Sequence, residues 1–508
     1  MAFNSIFGWL LKKRIHQIEL FKKHPIEVQR EWFERLIDEG KSTLFGQHHD
    51  FDEINSYNDF KNNVPLHSYD EMKPWIDKVV NGQISVLWPG ETKWFAKSSG
   101  TTSDRSKYIP VTKDSLEDCH YRGGKDLLAI NYKLYPSTKL YNGKHLVVGG
   151  SADYHQVRPD SYTGDLSAII MKNLPWWAEI KRTPSKEIAL MSNWEEKIEK
   201  LALSTMNEDV TSISGVPSWT LVLLNRILEL KGKSSILDVW PNLELFMHGG
   251  VSFEPYKKEY ERIIPSPSMH YIESYNASEG FFSIQDQPDG DLLLMLDYGI
   301  FFEFIPMDTY NGTDSETTLS LSEVELDKNY ALVISTNGGL WRYIIGDTVK
   351  FTSSTPYRLK VTGRTKHFIN TFGEEVIIEN ADEAVSFACS QTNSEIRDYT
   401  ACPIYMENAA QGGHEWLVEF SKEPADFELF KSCLDQRLRE VNSDYDAKRT
   451  KNLSLNIPVI HKALPGCFDR WLKRKGKLGG QHKVPRLSNN RVIFEEIMSL
   501  EEGTLFDN

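Results

Sequence analysis

Apolar positions along the chain recur with two different periods, and the change of period divides it. From residue 25 to 39 they come every three or four residues. Val28, Trp32, Phe33, Leu36 and Ile37 make one face, Pro25 suits a first helical turn, and Gly40 suits a C-terminal stop. A helix over 25–39 is predicted, and the first 90 residues read as mainly helical. Ile6–Leu11 is apolar but too short to span a bilayer, and its charges follow it instead of preceding it, which is wrong for a secretory leader. It reads as the opening turns of an amphipathic helix.

In the middle of the chain short apolar runs take over. His145–Val148 ends at Gly149-Gly150, Leu243–Met247 at His248-Gly249-Gly250, and Leu359–Val361 closes on Gly363-Arg364. Met269–Ser274 runs into Tyr275, and each of these runs reads as a strand. Leu292–Leu296 and Ile300–Ile305 flank Asp297-Tyr298-Gly299 as a hairpin would. Tyr330–Ser335 and Leu340–Ile345 flank Asn337-Gly338-Gly339, a stronger hairpin signal because Asn and Gly tolerate positive φ. After residue 364 the character changes. Trp416–Phe420 and Pro458–Ala463 read as strands, and Phe427–Val441 and Phe468–Lys475 as helices. These make a compact α+β unit of domain size. The expected fold class is α/β, with a large multi-sheet N-terminal domain over 1–364 and a small α+β C-terminal domain over 365–508.

A chain of 508 residues exceeds one compact core, in keeping with that division. Its net charge of −14 repels nucleic acid and anionic membranes, so neither is an expected partner. The five cysteines include no C-x-x-C pair, which argues against a zinc site or a disulfide framework and for a reducing cytoplasm. One segment departs from the acidic balance. Between Ala447 and Arg491 there are twelve Lys/Arg against one acid, Asp469. Such a run is either a solvated surface or a cationic face aimed at phosphates.

The most informative stretch for chemistry is Ser98-Ser99-Gly100-Thr101-Thr102-Ser103-Asp104-Arg105-Ser106-Lys107. Glycine lets backbone N–H groups approach an anion closely, hydroxyls add donors, and lysine adds charge. The spacing is not that of Walker A, and by itself the stretch suits a phosphate loop and a Ser/Thr-rich turn equally. Other strand ends carry complementary groups. Gly249-Gly250 offers bare backbone for a planar ring, and Tyr275 to Glu279 offers an aromatic face, a hydroxyl and a carboxylate. Asp347, after Gly346, can accept hydrogen bonds from a ribose diol. Together these are the parts of an ATP site with Mg²⁺.

The pattern resembles the adenylate-forming enzymes, the superfamily of acyl-CoA synthetases and luciferase. Within it the chain is most similar to the GH3 family of acyl acid amido synthetases. The text that carries the resemblance is Ser98-Ser99-Gly100-Thr101-Thr102, Ser278-Glu279-Gly280, Tyr298-Gly299-Ile300-Phe301-Phe302-Glu303-Phe304-Ile305-Pro306, Arg342-Tyr343-x-x-Gly346-Asp347 and Lys483-Val484-Pro485-Arg486. The helical opening with Phe45-Gly46 and Val64-Pro65-Leu66 adds to it, so it covers nearly the whole chain. One departure is Asp104, where the family loop often has a second glycine.

The resemblance implies a ligase that uses ATP to adenylate a carboxylic acid, releasing pyrophosphate, and then passes the acyl group to an amino acid amine. It implies that Ser98, Ser99, Gly100, Thr101 and Thr102 hold phosphates and that Gly249 and Gly250 flank the adenine on which Tyr275 stacks. Ser278 belongs to the same nucleotide motif, Glu279 coordinates Mg²⁺, and Asp347 binds the ribose hydroxyls. Arg364 contacts ribose or phosphate near the hinge, and Lys483 reaches the α-phosphate or the acyl carboxylate from a mobile C-terminal lid. The acid would meet aromatics among Tyr154, Tyr162, Trp176, Trp177 and Trp219, with Arg158 or His155 for a second polar group. Expected partners are a small carboxylic acid and an amino acid, and the expected protein is a cytoplasmic monomer or weak oligomer. An acyl-CoA ligase forming a thioester, and a non-catalytic nucleotide-binding relative, are the competing readings.

Overall fold

The computed structural model describes residues 2–98, 107–149, 155–174, 176–191, 193–250, 253, 256–365, 368–369, 376–404, 412–442, 445–446, 449, 455–477, 483–488 and 491–506. Chain contacts divide it into two compact units. One is Met1–Val251 with Glu259–Lys360, and the other is Ser252–Lys258 with Val361–Asn508. Among the described residues no helix is long and apolar enough to cross a membrane.

The first unit opens with two helices, α1 (Ala2–Lys23) and α2 (Pro25–Gly40). The second ends where its pattern predicts, but not through a left-handed glycine: Lys41 beyond it stays right-handed, at φ −51°. Gly40 is needed for packing instead. A side-chain carbon there would lie 2.8 Å from the Phe51 ring and 2.9 Å from that of Trp341.

In chain order the strands of this unit begin with β1 (Trp94–Ser98), β2 (Lys107–Val111), β3 (Lys144–Val148), β4 (His155–Arg158) and β5 (Ser161–Gly164). There follow β6 (Arg182–Thr183), β7 (Val210–Gly215), β8 (Leu245–Gly249), β9 (His270–Ala277), β10 (Gly280–Gln285) and β11 (Leu292–Leu294). The last are β12 (Ile300–Pro306), β13 (Leu319–Ser320), β14 (Asn329–Thr336), β15 (Tyr343–Ser354) and β16 (Tyr357–Arg364), whose end crosses into the second unit. A small sheet has the order β2-β1-β5-β4, and a twelve-stranded sheet the order β13-β12-β14-β15-β16-β11-β10-β9-β8-β7-β3-β6. From β9 to β6 the large sheet is parallel, as strands joined by helices must be.

The Asn337-Gly338-Gly339 hairpin is present, with Gly339 at φ +87° and Val333 opposite Ile344. The hairpin expected at Asp297-Tyr298-Gly299 is not. β11 pairs with β10 and β16, while β12 pairs with β13 and β14. The polar residues read there as a turn are engaged elsewhere. Arg14 of α1 donates to both Asp126 and Asp297, and the Tyr298 hydroxyl donates to Asp126 at 2.6 Å. A buried ion network therefore pins the first helix where local spacing alone suggests a β-turn.

The second unit holds β17 (Phe368–Ile369), β18 (Val376–Ile377), β19 (Glu395–Ile404), β20 (Gly413–Lys422) and β21 (Val459–Ala463). The last three form one sheet, antiparallel then parallel. Its alternation is clean. Tyr399, Ala401, Trp416 and Val418 join a core with the helices Ile378–Thr392 and Phe427–Val441. Cys402 and Leu417 join another core with the helices Cys467–Arg474 and Val492–Phe506. Helices thus cover both faces. The strands and helices predicted for this part are all found, within a few residues of their expected ends.

Candidate functional site

The parallel strands β3, β7 and β8 end side by side, with Val148 opposite Gly215 and Gly215 opposite His248. Glycine follows or closes each of them, at Gly149, Gly215 and Gly249. The carboxyl edge of parallel strands is where α/β sheets take ligands, because helix starts and loops converge there. Glycine at these ends has a local cause. A side-chain carbon at Gly249 would sit 2.3 Å from the Ser274 carbonyl oxygen of β9, and Gly250 turns at φ +79°. The adjacent His248 is buried, and burial pushes its imidazole down to about 3, so it is neutral near pH 7.

Tyr275 lies within β9, not beyond it, because the strand runs on to Ala277. Its ring is buried against Phe282, centroids 4.8 Å apart. Its hydroxyl donates to Asp347 Oδ2 at 2.6 Å. Asp347 reaches that position through a bulge. Ala331 pairs with Thr348 and Val333 with Ile344, so Leu332 alone opposes Ile345, Gly346 and Asp347. Gly346 takes φ +90°, which a side chain would resist. In the sheet order β15 lies four strands from β9, about 19 Å across a flat sheet. The 2.6 Å bond therefore requires the sheet to curl, and it unites two residues that are 72 positions apart in sequence.

Ser278, buried, and Glu279, partly buried, form the turn between β9 and β10. Ser98 ends β1 opposite Lys107 of β2, so the two ends of the hydroxyl-rich stretch are cross-strand partners. Ser99, Gly100, Thr101, Thr102 and Asp104 lie outside the described residues. The structure thus brings Gly249, Gly250, Tyr275, Ser278, Glu279 and Asp347 onto neighbouring parts of the first unit. Arg364, at the end of β16, and Lys483, partly buried, belong to the second.

Among the described residues no group of three His, Cys, Asp or Glu could hold a metal by itself. The donors present suit Mg²⁺ carried on a nucleotide, which needs one or two carboxylates besides phosphate oxygens. Glu279 is such a carboxylate.

Of the residues expected around an acid, Tyr162 stacks on Trp94 at 5.2 Å and Lys172 Nζ lies 4.7 Å from its centroid. Arg158 is engaged by Glu91 at 3.0 Å, and His155 is exposed on β4. Trp219 is partly buried on the helix Pro217–Lys231, and Tyr154 and the side chains of Trp176 and Trp177 lie outside the described set.

Lys197 was not singled out by sequence, and it sits at this edge. It is 1 % exposed, and its ammonium donates to the Gly149 carbonyl at 2.7 Å. Burial pushes it down to about 8. The signal was available: Lys197 shares the apolar stripe of the helix Trp194–Thr205 with Ile198, Leu201 and Ala202. The basic run between 447 and 491 changes meaning for a similar reason. Arg449 pairs with Asp435, Lys462 with Glu423, Lys475 with Glu496, Arg486 with Asp382 and Arg491 with Glu415. Acids from outside the run thus pair with five of its twelve basic residues.

Three family descriptions match the chain in order: the GH3 family N-terminal domain over residues 14–269, the central domain over 293–364 and the C-terminal domain over 379–492. A 4-substituted benzoates-glutamate ligase of Arabidopsis thaliana is 26% identical over 514 residues, covering 84% of this chain and 87% of the relative. An indole-3-acetic acid-amido synthetase of the same plant is 23% identical, covering 97% and 94%. Among solved structures, an acyl acid amido synthetase in complex with 2,4-DB superposes with a TM-score of 0.79 at 16% identity, covering 96% of each chain.

Proposed function

This chain belongs to the GH3 family, and we propose that it is an ATP-dependent ligase joining a carboxylic acid to an amino acid through an acyl-adenylate. The observation that carries the reading is its match along nearly the whole length to relatives that are acid–amino acid ligases. A free carboxylate resists attack by an amine because its leaving group would be oxide. In the first step a carboxylate oxygen bonds to the α-phosphorus of ATP and pyrophosphate leaves. In the second the amine nitrogen bonds to the acyl carbon, the C–O bond to AMP breaks, and the amine gives up a proton.

In this reading Gly249 and Gly250 give the adenine room and the Tyr275 ring edges it. Asp347 accepts from the ribose hydroxyls while the Tyr275 hydroxyl fixes its carboxylate. The backbone and hydroxyls from Ser98 to Thr102 receive phosphates. Bound with the nucleotide, Mg²⁺ would be held by Glu279 and would supply positive charge beside the phosphates. Arg364 meets the ribose or a phosphate, and Lys483 neutralises charge at the α-phosphate. We read 1–364 as the domain that takes nucleotide and acid, and 365–508 as a lid that brings Lys483. The five cysteines are all free thiols, which supports a cytoplasmic setting.

ATP–pyrophosphate exchange tests the first step, using benzoates, indole-3-acetate and jasmonate as probe acids. The expected result is exchange that requires one acid class and stops when Mg²⁺ is chelated. Addition of amino acids or of CoA then identifies the acceptor. AMP release that requires CoA and ignores amino acids would overturn the amide reading.

A further inference from the structure

Arg486 closes the Lys483-Val484-Pro485-Arg486 motif and has no role in the reading above. The backbone around it is fastened to the edge of β19. Ala401 N donates to the Arg486 carbonyl at 2.8 Å, Ser488 N donates to that of Ala401 at 3.1 Å, and Thr400 Oγ1 donates to that of Pro485 at 2.7 Å. Val484 and Leu487 are buried on either side of it.

The guanidinium is held as firmly as its backbone. Nη1 donates to both Asp382 oxygens, at 2.6 and 2.8 Å, and Asp398 Oδ1 lies 3.7 Å from Nε. Nη2 reaches the Tyr256 hydroxyl at 3.4 Å. The group lies over the Tyr399 ring at 5.2 Å, and Tyr399 donates in turn to Asp382 at 2.6 Å. Three separate parts of the second unit thus converge on one side chain: the helix Ile378–Thr392, β19, and Tyr256.

A buried ion pair adds little net stability over a well-packed apolar pair, so what this one contributes is orientation. Lys483 is three residues from the anchor, a reach of about 10 Å at most. Pro485 stiffens that link by fixing its own φ and restricting Val484. We propose that Arg486 is a positioning residue for Lys483, setting where its ammonium can stand through a short and nearly rigid link. The inference rests on the reading of Lys483 given above.

The experiment is a double-mutant cycle in the full chain. Arg486→Lys, Lys483→Ala and the combination are compared in ATP–pyrophosphate exchange, with whichever probe acid supports it. Arg486→Lys should leave the KM for ATP within about twofold and lower kcat about tenfold, because misplacement acts on the reacting geometry and not on nucleotide affinity. The double variant should be no slower than Lys483→Ala alone. Losses that multiply, or an Arg486→Lys enzyme with unchanged kcat, would overturn the proposal. If Arg486→Lys does not fold, Tyr256→Phe removes only the hydroxyl at Nη2 and should reproduce the same split more weakly; wild-type kcat there would overturn it. A Lys483→Ala enzyme with wild-type exchange removes the role of Lys483 itself, and this inference with it.

Discussion

Arg342 and Asp347 stand at the two ends of one short motif, yet they are held in different ways. Arg342 is buried and left-handed, at φ +42°. Its Nε donates to both oxygens of the fully buried Glu303 at 3.1 Å, Nη1 to the Val64 carbonyl at 2.7 Å, and Nη2 to Thr318 at 2.8 Å. The Tyr57 hydroxyl donates to the same Glu303 at 3.0 Å. Charge here is cancelled by charge, and the pair joins the helical opening to the large sheet. Asp347 accepts a hydrogen bond from the neutral Tyr275 hydroxyl, which fixes its direction. The motif thus carries an ion pair between Arg342 and Glu303 at one end and a bond from the Tyr275 hydroxyl to the Asp347 carboxylate at the other.

The sharpest way to break that comparison is Glu303→Ala. It leaves a buried guanidinium without its carboxylate and should cost about 3–5 kcal/mol in urea unfolding. A loss under about 1 kcal/mol would mean that the pair does not hold this region. Asp347→Ala should act the other way round. Nucleotide use should fall, with kcat/KM for ATP in exchange lower by about 100-fold, while the unfolding midpoint moves less than for Glu303→Ala. Unchanged kinetics would remove Asp347 from the site.

Acid should act on the Arg342 end. His67 is wedged there, its backbone N–H donating to the Arg342 carbonyl at 2.9 Å and its ring Nδ1 2.9 Å from that of Trp341. Burial lowers its imidazole from 6.5 to about 4, with His49 and Arg342 adding to the effect and Glu71 opposing it. Above pH 6.5 both folded and unfolded forms are neutral. Between 6.5 and 4 the unfolded chain takes up a proton that the fold refuses, so stability falls as pH drops, by up to about 1.4 kcal/mol per pH unit. His67→Gln should flatten the dependence of the urea midpoint on pH across that window; an unaltered slope would assign it to other groups. The smallest effect expected is for Tyr275→Phe. Loss of one hydroxyl should cost about 1 kcal/mol of stability and slow exchange by about tenfold or less. A loss as large as that of Asp347→Ala would show that the hydroxyl itself serves the reaction.

Four elements of the second unit (β20, β21 and the helices Phe427–Val441 and Cys467–Arg474) were legible in the sequence because their signals are local, whereas β19 and the helices Ile378–Thr392 and Val492–Phe506 were not read from it. Its strands alternate over two cores, and its helices carry contiguous apolar stripes. The first unit was less so. Asp297-Tyr298-Gly299 has turn chemistry, but Arg14 and Asp126 claim its side chains from far along the chain. Lys197 shows the opposite case, where a charge on an apolar stripe was a usable signal. Pairing in the basic run after residue 447 was not legible because counter-charges such as Asp382 and Glu415 precede it by tens of residues.

By itself the sequence determined the family text, several of the strands and helices, and the residue types a nucleotide site would use, since these depend on spacing and local chemistry. Only the tertiary structure decided which motif residues meet. The curl of the sheet and the bulge at Gly346 set Asp347 on the Tyr275 hydroxyl, while burial committed Arg342 to Glu303. Which partner each motif residue meets depends on long-range packing, and no local pattern along the chain encodes that distance.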